Sequence, residues 1–538
     1  MLALRVGYPS EPMKLYRSFA TVGGLTLVSR VLGFLRDILF AWAFGSGMVA
    51  DAFNVAFRFP NLFRRLFGEG AFNSAFIPLF AKELEGGGRD AARRFAEDAL
   101  SGLTLVLALL TLFCLLAMPW LMYLLAPGFS AIPEKFDLAV LLTRITFPYL
   151  LCMSLVALFS GVLNTFGKFV ESSAVSIVLN LTLTAAIFIV FGLGFENKPA
   201  GGIVQAIGVF VAGFLQLVLL WDGLRRNNFT LKLHAPRMTD GLRRLVTLGI
   251  PGVVAGGVTQ INIMIGTMIA SLEPGAVSQL YYADRLYELP LAIVGIAIGV
   301  VLLPDVSRHL RAGNGEAVMD SQNRALEFAM LLTVPAAAAL AAIPSEIINV
   351  LFQRGAFTAT DTEETAAALR LFAFGLPAFV LIKVFSPAYF AREDTRTPMR
   401  YATLSLTANT LGSIALFFLF RHLGLLPQLG IAVATTLGGW LNALLLWRTL
   451  IGRRHFHFDR RLGRALLMIV LSSLVMALVL SVSSGLYAAW LDHSQPLLVR
   501  GPALAALVGA GLLTYGLMIL ATGTLSLAQL RRFLRRGA

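Results

Sequence analysis

Apolar runs long enough to cross a bilayer recur along the whole chain, separated by shorter polar stretches that hold most of the charge. A membrane span needs about 20 mainly apolar residues. On that rule the pattern predicts fourteen helical spans, at about 17–44, 49–81, 96–124, 138–164, 170–193, 201–222, 246–270, 277–304, 325–343, 366–390, 399–420, 429–447, 465–485 and 501–522. Basic residues test the map. With Arg17, Arg144, Arg370 and Arg400, each within two helical turns of a span end, counted with the adjoining terminus or loop, thirty of the 44 Lys and Arg fall at the termini or in even-numbered loops and seven in odd-numbered loops. The other seven (Arg30, Arg36, Arg58, Arg64, Arg65, Arg285 and Lys383) fall inside spans. By the positive-inside rule both termini are then cytoplasmic. An odd number of spans would have destroyed this alternation. The pattern predicts an all-α, polytopic membrane protein.

The spans also repeat. Gly47 and Gly275 each open a short turn into a helix, and Pro60 and Pro290 are expected to interrupt those helices, with Pro78 and Pro304 closing them. Arg144 begins a run that reaches Phe159-Ser160, and Arg370 begins one that reaches Phe385-Ser386. The separations stay between 226 and 230 residues, so chance is a poor explanation. A shift of six spans preserves orientation, which predicts two parallel six-helix lobes, 1–228 and 229–452. Spans 13 and 14 with the basic tail, 453–538, lie outside the repeat. Two lobes related in this way leave a cleft, the usual place for a transporter's substrate.

Composition narrows the class. With 57% hydrophobic and 14% charged residues, an ordinary soluble domain is excluded. The net charge of +14 is spread between spans rather than gathered in a patch, which points away from nucleic acid. Cys114 and Cys152 sit inside apolar runs, without disulfide or metal spacing. His455-x-His457 lies in a basic loop and argues weakly for a metal. Gly86-Gly87-Gly88 lacks the strand before it and the Lys-Ser/Thr after it that a phosphate-cradling loop needs. No nucleophile, base and acid come together in the pattern. The expectation is a non-enzyme without cofactor, driven by the membrane potential or an ion gradient.

The candidate chemistry concentrates between Ser29 and Pro78. Five arginines and three acids (Asp37, Asp51, Glu69) interrupt two otherwise apolar spans. Ionisable groups at membrane depth are expensive and normally face water, a ligand or each other. Two readings are open: ion pairs such as Arg36–Asp51 and Arg65–Glu69, or an anion site, for which planar guanidinium suits phosphate. Span 8 carries Tyr281-Tyr-Ala-Asp284-Arg285-Leu-Tyr-Glu288-Leu-Pro290. Arg285 and Glu288, three apart, share one helical face. Lys383 in span 10 either reaches a cavity or snorkels to an interface.

At Ser29-Arg30-Val-Leu-Gly-Phe-x-Arg36-Asp37, at Asn61-Leu-Phe-Arg64-Arg65-x-Phe-x-Glu69-Gly-Ala-Phe and at Tyr282-Ala-Asp284-Arg285, the chain resembles the MurJ (MviN) family. These are bacterial lipid II flippases of the multidrug/oligosaccharidyl-lipid/polysaccharide (MOP) exporter superfamily. The resemblance covers essentially the whole chain. It implies a fourteen-span protein of the bacterial inner membrane that moves lipid II from the cytoplasmic to the periplasmic leaflet by alternating access. It implies substrate binding by Arg30, Arg36, Arg64 and Arg285, and gives Asp51 the family's acidic position. Ser29, Arg65 and Glu69 also match motif positions, with Asp37, Asp284, Glu288 and Lys383 as supporting charges. Lipid II joins an undecaprenyl chain through pyrophosphate to a disaccharide-pentapeptide, and a cationic hydrated cleft would replace water around that anion. Contacts with the cell-wall synthesis machinery follow from the same likeness. Some members hold a monovalent cation with acids of spans 7 and 11. Here those spans offer Gln260, Asn262 and Asn409, which argues against a sodium site. Two rivals stay open: a cation-coupled drug antiporter of the same superfamily, which would call for cavity acids, and a flippase for another undecaprenyl-linked polysaccharide, which the arginines fit equally.

Overall fold

A computed structural model describes residues 12–64 and 71–524; side chains at 12–20, 63–64, 71, 74, 251–259 and some positions in 293–301 lie outside the description. The described residues form α-helices, one short 3-10 turn and no strand. They divide into two compact units, Met1–Pro274 and Gly275–Ala538.

Unit one contains α1 (Pro12–Phe44), α2 (Met48–Arg64), α3 (Ala71–Leu125), α4 (Pro133–Thr146), α5 (Tyr149–Thr165), α6 (Phe169–Leu193), α7 (Pro199–Arg226) and α8 (Asp240–Ala270). The 3-10 turn Pro127–Ala131 joins α3 to α4. Spans expected as single helices are built in pieces. Span 4 is α4 followed by α5, hinged at Phe147-Pro148. Spans 2 and 3 meet inside α3, where Gly88 turns the chain at φ 71°, a left-handed value that glycine adopts without strain. Pro60 and Pro78 both lie within helices, so Pro78 does not close one.

Unit two contains α9 (Ala276–Arg311), α10 (Gly315–Ala342), α11 (Pro344–Phe352), α12 (Ala359–Phe390), α13 (Arg396–His422), α14 (Gln428–Gly452), α15 (Arg460–Leu491) and α16 (Leu497–Ala521). Polar side chains start several of these. Thr358 and Asp361 form a reciprocal capping box at α12, and the Asp459 carboxylate accepts from the Leu462 amide at α15. Pro290 and Pro304 are internal to α9, which runs on to Arg311.

The repeat has a structural signature. Arg144 Nε donates to the Leu115 carbonyl at 3.1 Å in unit one, and Arg370 Nε donates to the Ala341 carbonyl at 3.2 Å in unit two. Donor and acceptor are both displaced by 226 residues.

The packing boundary falls one helix later than the repeat boundary expected at 228/229. The reason is α8, which lies along α3: Leu242 fills the space at Gly102, and Phe95 lies against Gly241. The Gly128 amide donates to Ser271 Oγ at 3.1 Å, so close that any Cβ at 128 would collide with the Ser271 backbone. Spans 13 and 14, expected apart from the repeat, pack into unit two. Leu462, Ile469 and Ile519 share one core with Val306, Leu326 and Val384. Arg324 of α10 ties this junction together by pairing with Asp459 and Glu327. By length and composition, ten helical stretches among the described residues can cross a membrane.

Candidate functional site: arginines set in membrane helices

In unit one the motif residues of α1 fall into two groups. Ser29, Arg36 and Asp37 are buried, on the side of the helix that packs on α6, while Arg30 is exposed. Arg36 reaches back along its own helix, its Nη2 2.7 Å and its Nε 3.2 Å from Asp37 Oδ1. Its Nη1 donates to Asn180 Oδ1 of α6 at 3.0 Å. Asn180 completes the link by donating from Nδ2 to the Ser29 carbonyl at 2.8 Å and to Ser29 Oγ at 3.3 Å. The approach depends on Gly33, where a Cβ would stand 3.3 Å from the Asn180 amide. One asparagine thus orients Ser29 and Arg36 together. Arg30 makes no hydrogen bond or ion pair among the described residues.

The ion pairs differ from those the sequence suggested. Arg36 pairs with its neighbour Asp37, not with Asp51. The wholly buried Asp51 of α2 instead accepts from Lys135 Nζ of α4 at 2.6 Å. That ammonium also sits 4.2 Å from the centre of the Phe129 ring. A close counter-ion and an aromatic face together offset the cost of burying both charges. Arg58, further along α2, donates from Nη1 to Thr267 Oγ1 of α8 at 2.5 Å. The side chain of Arg64, and residues Arg65 and Glu69, lie outside the described residues, so the suggested Arg65–Glu69 pair does too.

In unit two Arg285 is about one-third exposed. Its Nη1 lies 3.3 Å from Glu288 Oε2 and its Nη2 donates to the Tyr281 hydroxyl at 3.2 Å. The guanidinium also lies 4.9 Å from the centre of the Tyr281 ring. The shared helical face predicted for Arg285 and Glu288 is present, with Tyr281 one turn before. Asp284 is half-buried on the same helix. Lys383 of α12 is exposed, and its stem lies across Gly295 of α9, where a Cβ would meet the ammonium at 2.8 Å.

Sequence reasoning missed Lys135 and Asn180. Asn180 had a readable signal, a lone amide inside a strongly apolar span that must find partners. Lys135 had none, because a lysine at the mouth of a loop looks like any solvated cation. Among the described residues no cluster of three His, Cys, Asp or Glu side chains could hold a metal. Asn409 Oδ1 accepts from Ser413 and Thr435 instead.

Two helical bundles, each with guanidinium groups set into its spans, define the class: a polytopic helical membrane protein with the MOP exporter fold. That fold recurs in the inward-facing structure of a multidrug resistance MATE family transporter (TM-score 0.64, 15% identity, covering 79% of this chain and 95% of that one). A family model described as Lipid II flippase MurJ matches residues 40–500. The probable lipid II flippase MurJ of Rhizobium meliloti (strain 1021) is 44% identical over 530 residues, 98% of this chain and 97% of its own. That of Rickettsia prowazekii (strain Madrid E) is 34% identical over 91% of this chain and 94% of its own. A solved lipid II flippase MurJ in an inward closed conformation matches with a TM-score of 0.75 at 25% identity, covering 93% of this chain and 98% of that one. The chain belongs to the MurJ family.

Proposed function

We propose that this protein carries lipid II from the cytoplasmic to the periplasmic leaflet of the bacterial inner membrane, through fourteen spans with both termini in the cytoplasm. The observation that carries the reading is the excess of guanidinium groups over carboxylates in the motif helices of a MurJ family member that matches 97% of a relative's length. In unit one the carboxylates of Asp37 and Asp51 are already matched by Arg36 and Lys135. Arg30, exposed on α1, makes no ion pair among the described residues, and the sequence adds Arg58, Arg64 and Arg65 against Glu69 alone. Charge-assisted, partly bidentate hydrogen bonds from such groups suit a pyrophosphate and would replace its water during passage. Arg30, Arg36, Arg64 and Arg285 are the groups assigned to that contact. Asp37 and Glu288 hold two of them in place until the anion competes for the fork.

The test is complementation of a flippase-depleted bacterium, with membrane protein level measured in parallel. Each Arg→Ala change should abolish growth without preventing insertion, and Arg→Lys should rescue poorly where both fork nitrogens are used. Losing one contact to a charged group, roughly 1.5–3 kcal/mol, weakens binding about tenfold to over a hundredfold. Removing the paired acid as well should not restore growth. General rescue by such double variants would reduce the arginines to structural ion pairs. Direct binding to lipid II and to other undecaprenyl-pyrophosphate sugars separates this reading from a polysaccharide flippase.

A further inference from the structure

Unit one contains a cavity of about 410 Å³ between α3, α5, α6 and α7. Its size lies within the range of small-molecule sites, about 300–1,000 Å³. The polar part of its wall is made of hydroxyls and amides, including Ser160, Asn164, Ser172, Ser176 and Gln216, and no charged side chain lines it among the described residues. Uncharged polar groups in membrane spans cost free energy unless they bond to something. Several of these do not. Gln216 is completely buried, and its Nε2 donates to the Val175 carbonyl at 2.7 Å. Its Oε1 accepts nothing among the described residues. The Asn164 Oδ1 takes the Ser172 hydroxyl at 2.9 Å, while its amide N–H groups and the Ser160 hydroxyl have no partner among the described residues. The wall therefore presents a spare acceptor beside spare donors. Met153, Val156 and Leu179 supply an apolar side.

The repeat lets the lining be compared with unit two. At the same register, 226 residues on, unit two has Lys383 in place of Ala157, Phe390 in place of Asn164 and Tyr401 in place of Val175. Each of these three changes adds bulk and the Asn164 amide is lost, while Asn442 keeps an amide at the Gln216 register and Ser386 a hydroxyl at that of Ser160. Unit one keeps smaller side chains at these three positions than its counterpart does.

We propose that this cavity binds an uncharged group rich in hydroxyls and amides, of the N-acetylated sugar class. Such a ligand presents hydroxyl and amide donors to the Gln216 oxygen, acceptors to Asn164 and Ser160, and ring C–H groups to the apolar side. A pyrophosphate is less suited, since no cation lines the wall among the described residues. The assignment rests on the proposed function, in which the sugar half of the lipid II headgroup has this chemistry.

The experiment uses purified full-length protein in nanodiscs and two probes. One is the free N-acetylglucosaminyl–N-acetylmuramoyl-pentapeptide, which has neither phosphate nor lipid. The other is undecaprenyl pyrophosphate, which has no sugar. Gln216→Leu, and Ala157→Phe to fill the space, should each weaken the first probe about tenfold or more and leave the second unchanged. Arg285→Ala should do the reverse. Ser160→Cys, a change too small to threaten folding, should be protected from a small thiol reagent by the first probe. No binding of the saccharide-peptide by the wild type, or no protection of the cysteine, overturns the proposal. Lipid II binding that is retained while the saccharide-peptide fails sinks the cavity assignment alone. Saccharide binding that depends on Gln216 in a protein that neither binds nor moves lipid II sinks the flippase reading and leaves the cavity standing.

Discussion

Replacing Lys135 by methionine should be among the most damaging single changes in unit one. The ammonium lies 2.6 Å from Asp51 Oδ2, and the two side chains are 4% and 0% exposed. Methionine keeps the apolar stem but removes the charge, leaving Asp51 buried without its counter-ion. Breaking a buried pair in this way costs about 3–5 kcal/mol, and loss of the cation–π contact to Phe129 adds about 0.5–2 kcal/mol. The lower end, about 3 kcal/mol, is enough to test the pair. Asp51→Asn alone leaves the lysine buried and should cost a similar amount. The double variant removes both charges and should recover most of the loss, because a well-packed neutral pair replaces an ion pair at little cost. The assay is reversible unfolding of the purified protein in mixed micelles as the denaturing detergent fraction is raised. A Lys135→Met protein within about 1 kcal/mol of wild type would refute the reasoning. So would a double variant as unstable as the singles.

Asn180→Asp sets a carboxylate at the Arg36 Nη1 and removes the Nδ2 donor to the Ser29 carbonyl, so thermal stability should drop somewhat and affinity for lipid II should fall about tenfold in the protein that still folds; unchanged affinity in a binding titration would mean that Arg36 does not meet the anion. Topology can be read with cysteines at exposed Gly47 and Gly86: the first should react with an impermeant thiol reagent in intact cells and the second should not, and the opposite pattern would invert the map. Collapsing the membrane potential should stall lipid II translocation, since one charge crossing 100 mV is worth about 2.3 kcal/mol; undiminished flipping would point to another energy source. Asp394, between α12 and α13, accepts from the Thr397 amide and hydroxyl and from Arg453, which hold its carboxyl down to about 2. A depressed carboxylate stabilises above its unfolded value of about 3.9 and loses that contribution as pH falls through the folded one. The stability gap between wild type and Asp394→Asn should therefore shrink from pH 4 to 2, and a constant gap would contradict the assignment.

The sequence by itself determined the helical class, the membrane setting and the repeat, because each is a one-dimensional property. Span length answers to bilayer thickness, and duplicated segments keep their spacing, which is why Arg144 and Arg370 could be paired before their matching carbonyl contacts were seen. Motif spacing likewise placed Ser29, Arg36 and Asp37 on α1, and Arg285 with Glu288 on one face of α9. What only the tertiary structure decided was partnership. A carboxylate on α2 pairs with whichever cation packing brings within about 3 Å, and that was Lys135, 84 positions away, rather than an arginine nearby in the chain. Asn180 became a hub only once α6 lay against Gly33 of α1. The same reason moved α8 into unit one: small residues at 102, 128 and 241 permit a close helix contact, and that complementarity between distant surfaces has no period along the chain.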